Sequence, residues 1–449
     1  MSKLSKLFGN PKQFFVDAYF NKYPERKYKK TLAKIVLSHQ IKRPTAILIG
    51  FSDWKTWMID VLPDYNVVFL GHSPEVSASL LKTIPKFFEP TVFCWSYKFP
   101  HELRDLCLTN DICITFVEDG FIRGSGLGIA KTNPMSLVFD SQAMHFDHKK
   151  TSALDDLLNT HEINSQDMKN VAKFRQVFEA GVTKYIRADS GSNLSDELNL
   201  YGENVIVILG QVEDDLSIQY GANRFYSGND LVKIAALENP GSRILYRPHP
   251  ESIQRRKKHY SNPKDVSNLC DIIGRRWSLK ETLEVADRVY TVTSFAGFEA
   301  ALMGKIVELF GLPFYGGWGF TNDRHDIDTT IKRTRKLTTD VVLAITLGRY
   351  ATYFHPVTME RITPIKAAEY AESIAYNLAA AVERKHKKAL AEIEFVDEKP
   401  TNSETELKII IDAGRIFSRT IDDKIQGKNQ NLNSVHYELI ESKTCNEKS

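Results

Sequence analysis

Long apolar runs are missing from this chain. A membrane-spanning helix needs about 18 or more consecutive apolar residues, and no stretch approaches that, so no transmembrane segment is expected. The N-terminus has no apolar signal core, which points to a cytoplasmic protein. Cysteine is scarce: Cys94, Cys107, Cys113, Cys270 and Cys445 make five, without the paired spacing of a zinc site. So sparse and odd a set suits a reducing compartment, and Cys94 and Cys113, in apolar strand-like stretches, read as core residues. A charge excess is missing too: a formal +3 is too small to imply a nucleic-acid partner. Absent as well are the GxGxxG of a dinucleotide fold and the Gly-Lys-Ser of an ATPase loop. What remains is 449 residues, 42% hydrophobic and 26% charged, an ordinary globular balance with room for two or three domains.

The stretch VIVILGQVEDDLSIQYG at 205–221 organises the rest. Its apolar, β-branched start predicts a fully buried strand, ended by Gly210. Glu213, Asp214 and Asp215 follow, then Ser217. Ligands of open α/β sheets bind beyond the carboxyl ends of the strands, where these acids sit. They are either solvated turn residues or a site. Three adjacent like charges repel, so at least one is expected to have a task or a partner.

Residues 1–43 form a basic arm in which lysines and arginines interleave with Phe14, Phe15, Tyr19, Phe20 and Tyr23. This suits a helical arm packed on the body, or a segment lying on an anionic membrane surface. From residue 44 strands and helices alternate, with strands expected at 46–50, 66–71, 91–95 and 112–117, a helix near 74–83 and a parallel sheet. The fourth strand leads into Glu118-Asp119-Gly120-Phe121-Ile122-Arg123-Gly124-Ser125-Gly126-Leu127-Gly128. Its glycines let backbone N–H groups approach a ligand, and its acids suit a sugar better than a phosphate. A short strand at 136–140 and a small element at 144–147 follow, where His145 is either a site residue or an ordinary surface histidine, the second being the preferred reading. Helix spacing recurs from 149 to 200, punctuated by Asp189–Ser195, and reads as a linker region.

A second α/β unit starts at 205. It continues with a helix at 229–237 capped by Asn229, and a strand at 243–247 ending in Pro248-His249-Pro250-Glu251. The prolines stiffen the backbone around His249, which favours a ligand role. After a helix at 278–286 and a strand at 288–292, the chain turns through Ser294 into another helix. The first N–H groups of that helix are free to hold an anion, and Glu299 sits about one turn inside, placed for ribose hydroxyls. Plain capping by Ser294 and dipole compensation by Glu299 are the alternatives. The aromatic and glycine loop at 311–321 can line a nucleotide pocket. The basic run 332–336 faces phosphates or solvent. Beyond 339 only helices are expected. The domains expected are a basic arm (1–43), an N-terminal Rossmann-like acceptor and catalytic domain with the linker region (44–200) and a C-terminal nucleotide-sugar-binding domain (201–345). Helices (346–418) and a flexible tail (419–449) complete the chain.

Together these features predict a GT-B-like α/β fold: two Rossmann-like domains facing a cleft, with helical additions. Glu118, Asp119 and Asp215 would stand on one face, and His249, Ser294 and Glu299 on the other. That is the layout of a nucleotide-sugar transferase, in which two carboxylates serve as nucleophile and acid/base.

Five motifs in order, EDGFIRG (118–124), GQVEDDLSI (210–218), YRPHP (246–250), TSFAGFEAALMGK (293–305) and GLPFYGGWGFT (311–321), resemble the capsule polysaccharide biosynthesis and export family of the KpsC/LipA type. The resemblance covers roughly 44–360. It implies a retaining β-Kdo glycosyltransferase that takes 3-deoxy-D-manno-oct-2-ulosonic acid (Kdo) from CMP-β-Kdo. Asp215 would be the nucleophile, ahead of Asp214, and Glu118, with Asp119, would serve as base. His249, Ser294, Glu299, Gly297, Arg247, Gln211 and Lys305 would hold the donor. Arg123, or the run near Arg333, would pair with the Kdo carboxylate. No metal or cofactor is implied, because the leaving group carries one phosphate. The partners implied are a saccharide or glycolipid acceptor and, peripherally, the inner membrane with capsule assembly proteins. Members of the KpsC type carry two such modules in tandem, and this chain has room for one. A non-catalytic glycolipid-binding assembly protein and a GT-B-fold epimerase or hydrolase stay open as alternatives.

Overall fold

A computed structural model of the protein describes residues 43–52, 54–70, 81–124, 133–182, 193–249, 261–274, 277–325 and 332–377. The basic arm, most of the helix expected at 74–83, residues 125–128, 189–192, Pro250 and Glu251, and everything beyond 377 lie outside the described residues.

Two sheets carry the architecture. The first contains β1 (Thr45–Ile49), β2 (Asn66–Phe69), β3 (Pro90–Trp95), β4 (Ile114–Asp119) and β5 (Ser136–Asp140), with β12 (Ala351–Phe354) and β13 (Arg361–Ile362). Its order is β13-β12-β5-β4-β3-β1-β2. The second contains β6 (Val205–Leu209), β7 (Arg243–Arg247), β8 (Asp271–Ile272), β9 (Arg288–Thr291), β10 (Ile306–Leu309) and β11 (Asn322–Asp323), in the order β11-β10-β9-β6-β7-β8. Strands β1 and β6 are buried at every position, which is why they read as unbroken apolar runs rather than alternating ones. Each Val, Leu or Ile among them contributes about 1.5–3 kcal/mol by leaving water. Each sheet has its own core, around Leu48, Phe93 and Trp95 in one and Ile206, Leu231 and Tyr290 in the other.

The second sheet is parallel throughout, as expected. The first is not. Strands β2, β1, β3 and β4 run parallel, but β5, β12 and β13 each pair antiparallel. Strand β5 runs back against β4, with the Gly120 N–H on the Ser136 carbonyl at 2.8 Å. The expectation of helices alone beyond 339 also fails. The helix Thr339–Ile345 runs through a π-helical turn (Thr346–Tyr350) into β12, which returns the chain to the first sheet beside β5. Four residues, Ala-Thr-Tyr-Phe, are too few to announce a strand between two helices.

Helices Ala153–Thr160 and Ser165–Glu179 start with capping boxes, Ser152 with Asp155 and Asn164 with Asp167. They do more than link, because both pack on the 339–345 helix and the π turn. Arg175 Nε meets Asp340 Oδ1 at 2.5 Å, and Arg349 Nε meets Asp167 Oδ1 at 2.6 Å. Two smaller expectations are corrected. Ser227, not Asn229, caps the Gly228–Glu238 helix, because Asp230 completes its capping box. Cys113 is exposed just ahead of β4, whereas Cys94 is core.

Candidate active site

Read from β8, the second sheet has the strand order 3-2-1-4-5-6, so the progression of its strands reverses between β6 and β9. Loops diverge at such a switch point and leave a crevice. Gln211, just past β6, spans it: its Nε2 donates to Thr293 Oγ1 at 3.0 Å, and its Oε1 accepts the Thr293 N–H at 2.8 Å. Gly210 permits the crowding. A Cβ there would stand 3.0 Å from Pro248 Cα and 3.2 Å from the His249 nitrogen, so the exits of β6 and β7 can lie side by side. The three acids then part company. Glu213 turns to Ser261, accepting from its N–H at 3.0 Å and from its hydroxyl. Asp214 and Asp215 are exposed and line the cavity; because they follow β6 of the second sheet, Asp215 stands on the wall of His249, Ser294 and Glu299 and not, as expected, on that of Glu118 and Asp119. Asp215 also caps the short helix Leu216–Gly221, its Oδ1 accepting the Ser217 N–H at 2.8 Å. Ser294 caps the helix Phe295–Leu302 through the Ala296 N–H, and Glu299, 5% exposed, faces the cavity from its second turn. Arg247 reaches the Trp277 carbonyl (2.9 Å) and the Thr282 hydroxyl (3.0 Å).

The first sheet supplies the opposite wall. Glu118 and Asp119 are the last two residues of β4 rather than loop residues. Ser136 fixes the turn behind them, its Oγ accepting the Ile122 N–H and donating to the Ile122 carbonyl. Gly120 is obligatory, since a Cβ would meet that Oγ at 2.4 Å. Trp95, Ser96 and Lys98, at the exit of β3, complete the wall. Ser96 is held at φ +51°, which a non-glycine residue rarely adopts, and its buried Oγ has no hydrogen-bond partner among the described residues.

The walls enclose a cavity of about 670 Å³, within the range of small-molecule sites. It brings together Glu118, Asp119, Gln211, Asp214, Asp215, Arg247, His249, Ser294 and Glu299. Three expected donor contacts do not line it. Arg123, 1% exposed, turns inward and pairs through Nε with Asp119 Oδ2 at 2.8 Å. Gly297 is a packing position, where a Cβ would strike the Tyr315 hydroxyl oxygen at 2.3 Å. Lys305 donates instead to the Glu284 carbonyl at 3.0 Å. Arg333 does not line the cavity either: it is buried on Asp155 at 3.1 Å and on the Pro313 carbonyl at 2.6 Å. Phe314 and Pro313 of the 311–321 loop do line the cavity, as the loop's composition predicts. At its edge, Phe121 packs tilted against Phe314 (ring centroids 5.1 Å apart) and Phe295 (5.5 Å), joining the two halves. His145 belongs to this aromatic group and lines the cavity, so it is not a surface histidine. Trp95, Ser96 and Lys98 were missed because no motif marks them, and His145 takes the less favoured of its two expected roles, a site residue. For the first three the one available signal was their position at or just past the end of β3.

Two Rossmann-like sheets with a cavity between their strand exits define a GT-B-like protein. The pattern described as capsule polysaccharide biosynthesis protein matches residues 161–353. Lipopolysaccharide-processing protein LpsZ of Rhizobium meliloti is 33% identical over 323 residues, 70% of each chain. Capsule polysaccharide modification protein LipA of Neisseria meningitidis serogroup B is 35% identical over 254 residues, 56% of this chain and 35% of LipA. The β-Kdo 2,7 transferase of Thermosulfurimonas dismutans KpsC superposes with a TM-score of 0.56 at 25% identity, covering 73% of this chain and 98% of that one. The β-Kdo 2,4 transferase of the same KpsC gives a TM-score of 0.61 at 24% identity, over 74% and 99%. The chain belongs to the capsule polysaccharide biosynthesis family of the KpsC/LipA type. Among the described residues no helix is long and apolar enough to cross a membrane.

Proposed function

We propose that this protein is a retaining β-Kdo glycosyltransferase that moves Kdo from CMP-β-Kdo to a saccharide or glycolipid acceptor in capsule or surface-polysaccharide synthesis. The observation that carries this reading is the shared cavity, where Glu118 and Asp119 face Asp214, Asp215 and the Ser294 helix start. Likeness to the KpsC transferase domains supports it.

In this reading Asp215 attacks C2 of Kdo. Its Oδ1 is engaged by the Ser217 N–H, which leaves Oδ2 to form the bond. The C2–O bond to CMP breaks, and the electron pair leaves on the phosphate. The amide N–H groups after Ser294, with His249, receive that anion. The acceptor hydroxyl then gives its proton to Glu118 and attacks C2, and the Asp215 carboxylate departs. Two inversions return the β configuration. Trp95, Ser96 and Lys98 form the acceptor wall. CMP leaves as a stable phosphate monoester anion, so the chemistry runs without a metal.

The test supplies CMP-Kdo, generated in situ, with Kdo-primed or lipid-linked saccharides, and follows CMP release and product anomers by NMR. A β-linked product made only when acceptor is present is expected. CMP release with free Kdo and no acceptor dependence would make the protein a hydrolase. No consumption of CMP-Kdo with any acceptor would end the reading.

A further inference from the structure

Neither arginine expected to hold the donor's carboxylate lines the cavity: Arg123 and Arg333 are turned onto Asp119 and Asp155. A different hydrogen-bond donor stands beside Asp215, at the end of a relay of three side chains. The Thr293 N–H meets Gln211 Oε1 at 2.8 Å, which fixes the amide and makes Nε2 the donor to Thr293 Oγ1 at 3.0 Å. Having accepted there, the Thr293 hydroxyl gives its own hydrogen to Ser217 Oγ at 3.3 Å. Packing fixes this rotamer. A Cβ at Gly221 would stand 2.9 Å from the Thr293 γ-methyl, and one at Gly311 2.7 Å from it, so the methyl fills the space between two glycines and the hydroxyl faces Ser217.

Ser217 thus receives a hydrogen, and among the described residues this is the only hydrogen bond of its side chain. Its own hydrogen is directed away from Thr293, and Ser217 lines the cavity. Its N–H holds Asp215 Oδ1 at 2.8 Å, which keeps the hydroxyl next to the attacking carboxylate. A sugar carbon attacked by Asp215 carries its other substituents within reach of that hydroxyl. In an ulosonic acid one of them is a carboxylate, which only accepts hydrogen bonds. We propose that Ser217 determines donor specificity: its hydroxyl, aligned by Gln211 and Thr293, donates to the carboxylate beside the reacting carbon. The assignment rests on the transferase reading above. The cavity's cations stand elsewhere. Lys98 leaves β3 on the opposite wall, and Arg247 is held on the Trp277 carbonyl and the Thr282 hydroxyl. A neutral donor also suits the chemistry. Positive charge develops at the reacting carbon as the leaving group departs, and a cation fixed beside it would oppose that charge. The relay strengthens the Ser217 donor without adding charge, because a hydroxyl that accepts a hydrogen bond donates a stronger one.

The test uses a stable CMP-Kdo analogue, the phosphonate with carbon in place of the glycosidic oxygen, and its C1 amide, titrated by calorimetry into the full chain. The parent should bind the carboxylate form about 10-fold more tightly than the amide. Ser217→Ala, which keeps the N–H on Asp215, should lose that preference and bind CMP as the parent does. In turnover, Ser217→Ala should lower kcat/KM for CMP-Kdo about 10- to 100-fold. Thr293→Val keeps the packed methyl and removes the relay; it should give part of that loss alone and little more in the Ser217→Ala background. A parent that binds both forms equally, or a preference that survives Ser217→Ala, would overturn the inference and leave the transferase reading intact. Equal weakening of CMP, amide and carboxylate forms in Ser217→Ala would reveal a structural role and overturn it as well. Fully additive losses would remove Thr293 from the relay. A parent that binds CMP but neither Kdo form would remove the donor, and with it both this inference and the transferase reading.

Discussion

The two walls of the cavity are built in opposite ways. On the first-sheet wall Glu118 and Asp119 sit within a strand end, backed by buried Arg123 and by a turn that Ser136 fixes. On the second-sheet wall Asp214 and Asp215 are exposed, in a loop and at the cap of a six-residue helix. One wall holds its charges by burial and compensation, and the other by leaving them in water until a ligand arrives. The difference suits the proposed division of labour. A base must be ionised when the acceptor arrives, whereas a nucleophile must be reachable from the cavity.

The comparison breaks most sharply at Asp215. Asparagine caps a helix as well as aspartate does, so Asp215→Asn should keep the Ser217 N–H bonded and leave Tm within about 1 °C. Transfer should nonetheless fall at least about 1,000-fold, as expected for a lost nucleophile, checked by CMP release. A large effect on stability is expected where the two halves are tied. Arg333→Met leaves buried Asp155 without its cation and should cost about 3–5 kcal/mol in denaturant unfolding. Next comes Asp167. Burial pushes its carboxyl up, but Arg349, His161 and the Asn164 N–H outweigh that and hold it down at about 2. A carboxyl depressed in the folded state stabilises above its unfolded pKa and loses that contribution as pH falls. About 2 kcal/mol should therefore disappear between pH 4 and pH 2, and Arg349→Met should flatten that part of the stability curve. The smallest effect is expected at Ser294. Removing the cap in Ser294→Ala should cost about 1 kcal/mol of stability and raise the donor KM more than it lowers kcat, seen in steady-state kinetics.

Much of the second wall was legible in the sequence. The apolar run of β6, its glycine exit, the acids and the Ser294 strand-to-helix turn are local features, and locality is what pattern reading detects. The first wall was half legible. Glu118 and Asp119 announced themselves, but Trp95 is brought beside them only by the order in which the strands pair. The basic run at 332–336 misled for a related reason. Its composition suits solvent or phosphate, yet Arg333 and Arg335 reach back to Asp155, Leu158 and His161, contacts between segments about 175 residues apart. The same long-range pairing hid β12, whose neighbour β5 lies 210 residues earlier at the Asp140–Tyr350 hydrogen bond. Glu213, in contrast, was indistinguishable from its neighbours until Ser261 claimed it.

The most direct test of the covalent mechanism is the intact mass of the protein after incubation with CMP-Kdo and no acceptor. A gain of one Kdo residue is predicted, absent in Asp215→Asn and released when acceptor is added. An adduct that persists in Asp215→Asn but is lost in Asp214→Asn would move the nucleophile by one residue. No adduct in the parent protein, under conditions where product still forms, would contradict double displacement.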